Sequence, residues 1–159
     1  MNLSQIAINK LSERGVNLND MANIVFDLQK KYNPYITIKD CKKAINSVIK
    51  KREVIHAIIT GIAIDECVEK KLFDEPLNNI IFNDYSLYGI DEILALSIVN
   101  IYGSIALTTF GYLDKVKPSI IGEIDRTGQD NQHCNTFLDD IISAIISASC
   151  SKVAHQKKA

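Results

Sequence analysis

The sequence predicts an all-α fold, a single globular bundle of roughly six to eight helices around two central apolar helices. Three observations predict it. Apolar residues recur at three- and four-residue spacing through most of the chain. No segment alternates apolar and polar residues between hairpin turns, and "YITI" is the one strand-like fragment. The three prolines and seven glycines fall mostly where helices have to start or stop. A chain of 159 residues is long enough to bury a core of its own, so residues 1–159 read as one domain without internal repeats.

The elements follow in order. "LSQIAINKLSERG" puts Leu3, Ile6, Ala7 and Leu11 on one face and stops at Gly15. "NLNDMANIVFDLQKKYNP" begins with Asn17, whose side chain can cap amides near Asp20, and ends at Asn33–Pro34. In "TIKDCKKAINSVIKK", Thr37 with Asp40 three residues on resembles a capping box. "REVIHAIITGIAIDECVEKKLF" reads as a helix broken or thinned near Gly61. "EPLNNIIFND" is a short helix with Pro76 near its first position. Next comes the stretch of the first apolar helix, "YGIDEILALSIVNIYGSIALTTFGYLDK", and after it "KPSIIGEIDRTG", a short helix entered at Pro118. The polar loop "TGQDNQHCN" leads to the last helix, "TFLDDIISAIISASCSKVAH", entered at Asn135 or Thr136.

Composition excludes several functions. Hydrophobic residues make up 47% and charged residues 23%, which is a globular balance and not that of a disordered chain. A net charge of −1 gives no pull toward nucleic acid. The basic clusters at Lys50–Lys51–Arg52, Lys70–Lys71 and Lys157–Lys158 read as solvated helix faces or a terminus. Cys41, Cys67, Cys134 and Cys150 lack metal-ligand spacing and read as free thiols of a reducing compartment. No signal peptide opens the chain, so a cytoplasmic location is expected.

Residues 93–113 carry no charge, long enough in principle to span a bilayer. Ser97, Asn100, Ser104, Thr108 and Thr109 within the run, and the missing Trp and basic anchors, favour a buried helix instead. Gly103 and Gly111 suggest that the helix does not continue evenly.

Both apolar helices start on adjacent acids, Asp91–Glu92 and Asp139–Asp140. Acids in a first turn commonly do no more than face the positive end of the helix dipole. Neighbouring helix positions point about 100° apart, however, so one acid of each pair can turn inward. Two such helices packed together would crowd their carboxylates and call for a cation or a shared proton. Magnesium suits that arrangement, because it takes one or two carboxylates plus phosphate oxygens. Asp91, Glu92, Asp139 and Asp140 are the candidate metal ligands. Ser104, Thr108, Thr109, Lys115 and Lys117 are candidates for phosphate binding, and His133 for an acid or base, although a lone loop histidine is more often simply exposed. His56 and His155 read as structural or tail-borne. Asp65–Glu66 lies inside a helix, and its Glu66–Lys70 spacing suggests a surface role.

"LYGIDEILALSIVNIYGSIALTTFGYLDK" followed by "HCNTFLDDIISAI" resembles the small YutG-like, or low-temperature-requirement C, proteins of Gram-positive bacteria, grouped with phosphatidylglycerophosphatase A. The similarity runs over nearly the whole chain, including "KKREVIHAIITGIAIDE". The resemblance implies a magnesium-dependent phosphatase that converts phosphatidylglycerophosphate to phosphatidylglycerol. It places Asp139 and Asp140 in an acidic motif, and Gly103, Ser104, Thr108 and Thr109 in a polar segment. The phosphatase is membrane-spanning, whereas this chain is more polar with a charged N-terminal half. A non-catalytic helical binding or regulatory module sharing the fold is the alternative. Peripheral membrane contact and self-association are compatible with either reading.

Overall fold

The computed structural model describes residues 2–156, so the basic pair at 157 and 158 lies outside the described residues. Among the described residues nine helices form, α1 (Leu3–Glu13), α2 (Leu18–Gln29), α3 (Ile38–Ile49), α4 (Arg52–Glu69), α5 (Leu77–Phe82), α6 (Ile90–Val99), α7 (Ser104–Val116), α8 (Ile120–Thr127) and α9 (Leu138–Ala154). Among the described residues there is no strand, and "YITI" forms the turn that leads into α3.

The local signals act as their chemistry requires. Asn17 Oδ1 accepts the Asp20 amide at 2.9 Å, satisfying one of the amides that a helix start leaves without a carbonyl. Thr37 and Asp40 form a reciprocal capping box: the Asp40 amide donates to Thr37 Oγ1 at 3.2 Å and the Thr37 amide to Asp40 Oδ2 at 3.0 Å.

Three expectations change. The helix expected to thin near Gly61 runs unbroken as α4. Gly61 serves packing instead, because a Cβ there would lie 2.1 Å from the Cδ1 of Ile141, so α4 and α9 approach through the missing side chain. The ninth helix arises because residues 93–113 do not form one rod. The chain turns between Asn100 and Gly103, where Gly103 takes φ +85°, and splits the run into α6 and α7. No helix among the described residues is long and apolar enough to cross a membrane.

The centre of the bundle is α9. It packs against α2, α3, α4, α6, α7 and α8, and every residue from Leu138 to Ser151 is buried. Its serines are tolerated there because Ser143, Ser147 and Ser149 each donate to the carbonyl four residues back. By contrast α6 lies at the outside, with Ala95, Ile98 and Val99 inward and Ile93 62% exposed. An apolar sequence therefore does not make α6 a second central helix; only one stripe of it is covered.

Candidate active site

The start of α9 is built by residues distant in sequence. No side chain adjoining its first turn caps it. Asp65, fully buried in α4, takes that place: its carboxylate accepts the Phe137 amide at 3.1 Å and the Leu138 amide at 3.0 Å. The Cys134 thiol donates to the same group at 3.5 Å. Burial pushes the Asp65 carboxyl up to about 8, against the pull of those donors and of Arg14. Asp65 is thus an internal cap and not the surface acid its helical context suggested. Its neighbour Glu66 does reach the surface, where it pairs with Lys10 at 2.9 Å and not with Lys70.

Arg14 clamps the loop ahead of α9. It holds Glu69 through both guanidinium nitrogens at 2.7 and 3.0 Å, and also donates to the Cys134 carbonyl and Asn135 Oδ1. The Cys134 amide donates to Glu69 Oε1 at 2.8 Å. Residues 134–138 are thereby tied to α1 and α4, and the two acids that follow are fixed in direction.

Those acids turn inward. Asp139 and Asp140 are both buried, and so is Asp91 at the start of α6. The Asp140 and Asp91 carboxyls are hydrogen-bonded to one another. Burial raises Asp140 strongly, and the charges of Asp139 and Asp91 add to it. The raised Asp140 carboxyl keeps its proton and donates it toward Asp91.

Lys117 neutralises the third carboxylate. Its ammonium lies 2.8 Å from Asp139 Oδ2, and 3.7 Å from Asp114 and from Asp125. Burial pulls Lys117 down, but Asp139, Asp125 and Asp114 outweigh it and leave it above its ordinary value. Burial also raises Asp139, against Lys117. The short contact is the ion-paired state, since a neutral carboxyl would leave a half-buried ammonium with a weaker partner. Lys117 is aimed inward by a left-handed backbone of φ +47°. The carbonyl of Lys117 rests on α8 at Gly122, where a Cβ would come within 2.5 Å of it.

These groups line one cavity of about 390 Å³, walled by Asp84, Tyr88, Asp91, Glu92, Asp114, Lys117, Asp139 and Asp140. A second, of about 330 Å³, adjoins it and shares Asp84 and Asp139. Asp84 is raised first by burial and then by Asp91. The bulkier Leu87, at φ +66°, stands fully exposed at the rim. Of the six non-glycine residues with positive φ among the described residues, four (Asp84, Leu87, Lys117 and Asn131) line the two cavities, and backbone strain often accompanies a working site.

The arrangement has relatives. The family model for phosphatidylglycerophosphatase A matches residues 9–155. The chain belongs to the phosphatidylglycerophosphatase A family. The uncharacterised proteins YpjQ and YutG of Bacillus subtilis are 52% and 49% identical to it, over 91% and 94% of this chain and 80% and 89% of theirs. The crystal structure of low temperature requirement C protein from Listeria monocytogenes superposes with a TM-score of 0.93 at 47% identity, covering 98% of this chain and 96% of that one.

In this member of the phosphatidylglycerophosphatase A family, the structure brings Asp91, Glu92, Asp139, Asp140 and Lys117 to one cavity. It does not bring the polar segment there. Ser104 opens α7 and Lys117 follows its end, so the two are about 20 Å apart along the axis. Thr108 donates back to the Ser104 and Ile105 carbonyls. Thr109 and the exposed Lys115 line neither cavity. His133 stands on another cavity with Arg14, Glu69 and Glu123, and pairs with Asp130. Asp84, Asp114 and Asp125 are acids of this site that sequence reasoning did not single out. Asp114 directly follows the uncharged run; Asp84 and Asp125 carry no local signal.

As to a metal, no three His, Cys, Asp or Glu side chains among the described residues converge closely enough to cage an ion alone. The donor set fits a different mode. Magnesium keeps several waters and binds through one or two carboxylates with substrate phosphate completing the shell. Asp91 and Asp140, hydrogen-bonded to each other, are the two carboxyls that could supply that minimum.

Proposed function

We propose that the protein is a magnesium-dependent phosphomonoesterase of the phosphatidylglycerophosphatase A type, acting on a phosphate monoester such as phosphatidylglycerophosphate in phospholipid biosynthesis. The observation that carries the reading is the meeting of three buried carboxyls, Asp91, Asp139 and Asp140, with the Lys117 ammonium at one cavity. Burying so many acids without enough counter-charge costs stability, which a fold retains where the charge is used. Family membership supports the same activity class.

Asp91 and Asp140 would hold the ion, with Asp139 and Glu92 completing its surroundings. When bound, magnesium would neutralise the developing charge on phosphorus and acidify an attacking water. Lys117 is a point charge suited to a phosphate oxygen. Asp139 sets the direction of that ammonium through the 2.8 Å ion pair. Asp139 and Asp140 are buried at the head of α9, which would limit the screening of these charges by bulk water.

The test is phosphate release from phosphatidylglycerophosphate and from soluble phosphomonoesters, with magnesium and with EDTA. Asp139→Asn and Asp140→Asn should each lower turnover by about 100-fold or more. Turnover retained in both variants removes the site assignment. Release from no substrate, together with an unchanged melting temperature in magnesium, favours the non-catalytic binding module.

A further inference from the structure

The start of α6 and the end of α7 line one cavity, so the two helices run antiparallel, joined by the turn at Asn100–Gly103. Their buried residues, Ala95, Ile98 and Val99 on α6 and Ala106, Phe110 and Leu113 on α7, turn toward the core. Large apolar side chains stand on the other side. Ile90, Ile93, Leu107, Tyr112 and Val116 are each between 51% and 62% exposed, and the bare Leu87 precedes α6. Together they present apolar surface on the order of 600 Å², the upper limit of what a monomer usually leaves uncovered. Gly111 lies mid-helix in α7, and no neighbouring element comes within 4 Å of a Cβ placed there. Glycine weakens a helix relative to alanine, and packing within the chain does not call for one here; it leaves room for a second backbone to approach. Two charges on this side are unpaired. Glu92 in the first turn of α6 and Lys115 in the last turn of α7 are exposed, opposite in sign and without an ion pair or hydrogen bond among the described residues.

We propose that a second copy of this chain covers the outer face of α6 and α7, in a two-fold dimer whose axis runs parallel to the two helices and between them. That operator lays α6 of each copy along α7 of the other with like ends together. Glu92 then meets the partner's Lys115, and Lys115 the partner's Glu92. An axis across the helices sets α6 on α6 and leaves both charges bare, so the charges select the first arrangement. With Ser97, Ser104 and Thr108 among the apolar residues, the face approaches the roughly 800 Å² that each partner of a stable complex buries. A lipid surface fits less well, because the adjoining cavity is lined by Asp84, Glu92 and Asp114 with Lys117 as its one base, and anionic headgroups meet like charge there. The dimer bears on the site. Leu87 and Glu92 line the cavity of about 390 Å³, so the partner's Lys115 stands at its mouth, a cation that the cavity's own chain does not place there. The association itself does not depend on the phosphatase reading.

The experiment measures the mass of the full chain by analytical ultracentrifugation over a concentration series. Wild type should pass from the chain mass of 17.7 kDa toward twice that value as concentration rises. Glu92→Lys and Lys115→Glu each set like charges together at both contacts of a homodimer, and each should weaken association by about tenfold or more. Mixed in equal amounts, the two variants oppose unlike charges at both contacts, so the mixture should recover the dimer. That recovery also shows that neither variant is merely misfolded. Ile93→Asp puts an acid among the apolar residues of the face and should remain monomeric, with a circular dichroism spectrum like that of wild type. A wild type that stays monomeric throughout, single reversals or Ile93→Asp that still dimerise like wild type, or a mixture that stays monomeric overturns the proposal. So does a monomeric wild type that sediments with phosphatidylglycerol vesicles and loses that binding in Ile93→Asp, a result that gives the face to a membrane surface.

Discussion

Asp65→Ala tests whether the site is assembled from behind. The substitution leaves the Phe137 and Leu138 amides without acceptors in the interior, where Asp65 now meets them at 3.1 and 3.0 Å. A buried donor without a partner costs about 1–3 kcal/mol, or about 2–6 for two. Removing a carboxylate that burial already disfavours offsets part of this, so about 2–4 kcal/mol is expected near neutral pH. For a chain of this size that is a fall in Tm of roughly 5–15 °C. Asp65→Asn keeps one oxygen and should cost less.

The pH dependence separates capping from mere space-filling. The folded-state Asp65 carboxyl is pushed up to about 8, above its ordinary value of 3.8 in the unfolded chain. Between those values the folded chain holds a proton that the unfolded chain has released. The Asp65 contribution to stability is therefore greatest at low pH and declines as pH rises toward about 8. Asp65→Asn cannot titrate, so its deficit relative to wild type should shrink from about pH 5 to about pH 8. Thermal melts across that range decide it. Parallel curves for wild type and Asp65→Asn, or a Tm for Asp65→Ala within 2 °C of wild type by the scaling used above, would refute the reasoning.

Further outcomes follow from the same contacts. Lys117→Met leaves buried Asp139 without its 2.8 Å partner; discounted for the partial exposure of the lysine, about 1–2 kcal/mol is lost in EDTA, and magnesium should narrow that gap in melting curves while turnover stays depressed at least tenfold. Gly122→Ala places a Cβ within 2.5 Å of the Lys117 carbonyl, so the backbone must move; about 1–3 kcal/mol in denaturant unfolding is expected, with a larger relative loss of turnover than of stability. Arg14→Ala removes a bidentate pair and two bonds to residues 134 and 135, and should cost about 2–3 kcal/mol, with faster hydrogen exchange at the Cys134 amide than in wild type.

The helices were legible because their causes are local. Asn17, Thr37 with Asp40, and Pro76 act within one turn of themselves, and the apolar spacing of α2 and α3 faces inward as written. The acid pairs were legible for a similar reason, since adjacent acids at the head of two greasy segments stand out. What could not be read was which acids are buried. Asp65 and Glu66 are neighbours on one helix, yet one is fully buried under α9 and the other salt-bridges Lys10 at the surface. Nothing within α4 distinguishes them; the difference lies about 72 residues away, in the amides they do or do not face. Gly61 was misread for the same reason. Its missing side chain looked like a local weakness and is a tertiary contact with Ile141.

The proposed site shows why the central helix has to be the one that carries the acids. A carboxylate at an exposed helix start is held by its own dipole alone, about 0.3–1 kcal/mol, and is free to turn to water. At the head of α9 that freedom is removed. Asp65 occupies the amides of Phe137 and Leu138, Asp139 Oδ1 accepts the Asp140 amide at 2.9 Å, and Arg14 fixes the loop before them. The carboxyls of Asp139 and Asp140 are left pointing at Lys117 and Asp91, one held by an ammonium and the other by a hydrogen bond. On the proposed reading, an ion held there would meet oxygens already in position, so little of its binding energy would be lost to ordering the site. Were Asp65 or Arg14 merely stabilising, their loss would lower Tm and leave the magnesium dependence of turnover of the surviving folded protein unchanged. The cap and clamp predict instead that magnesium affinity weakens in both variants at temperatures well below their unfolding.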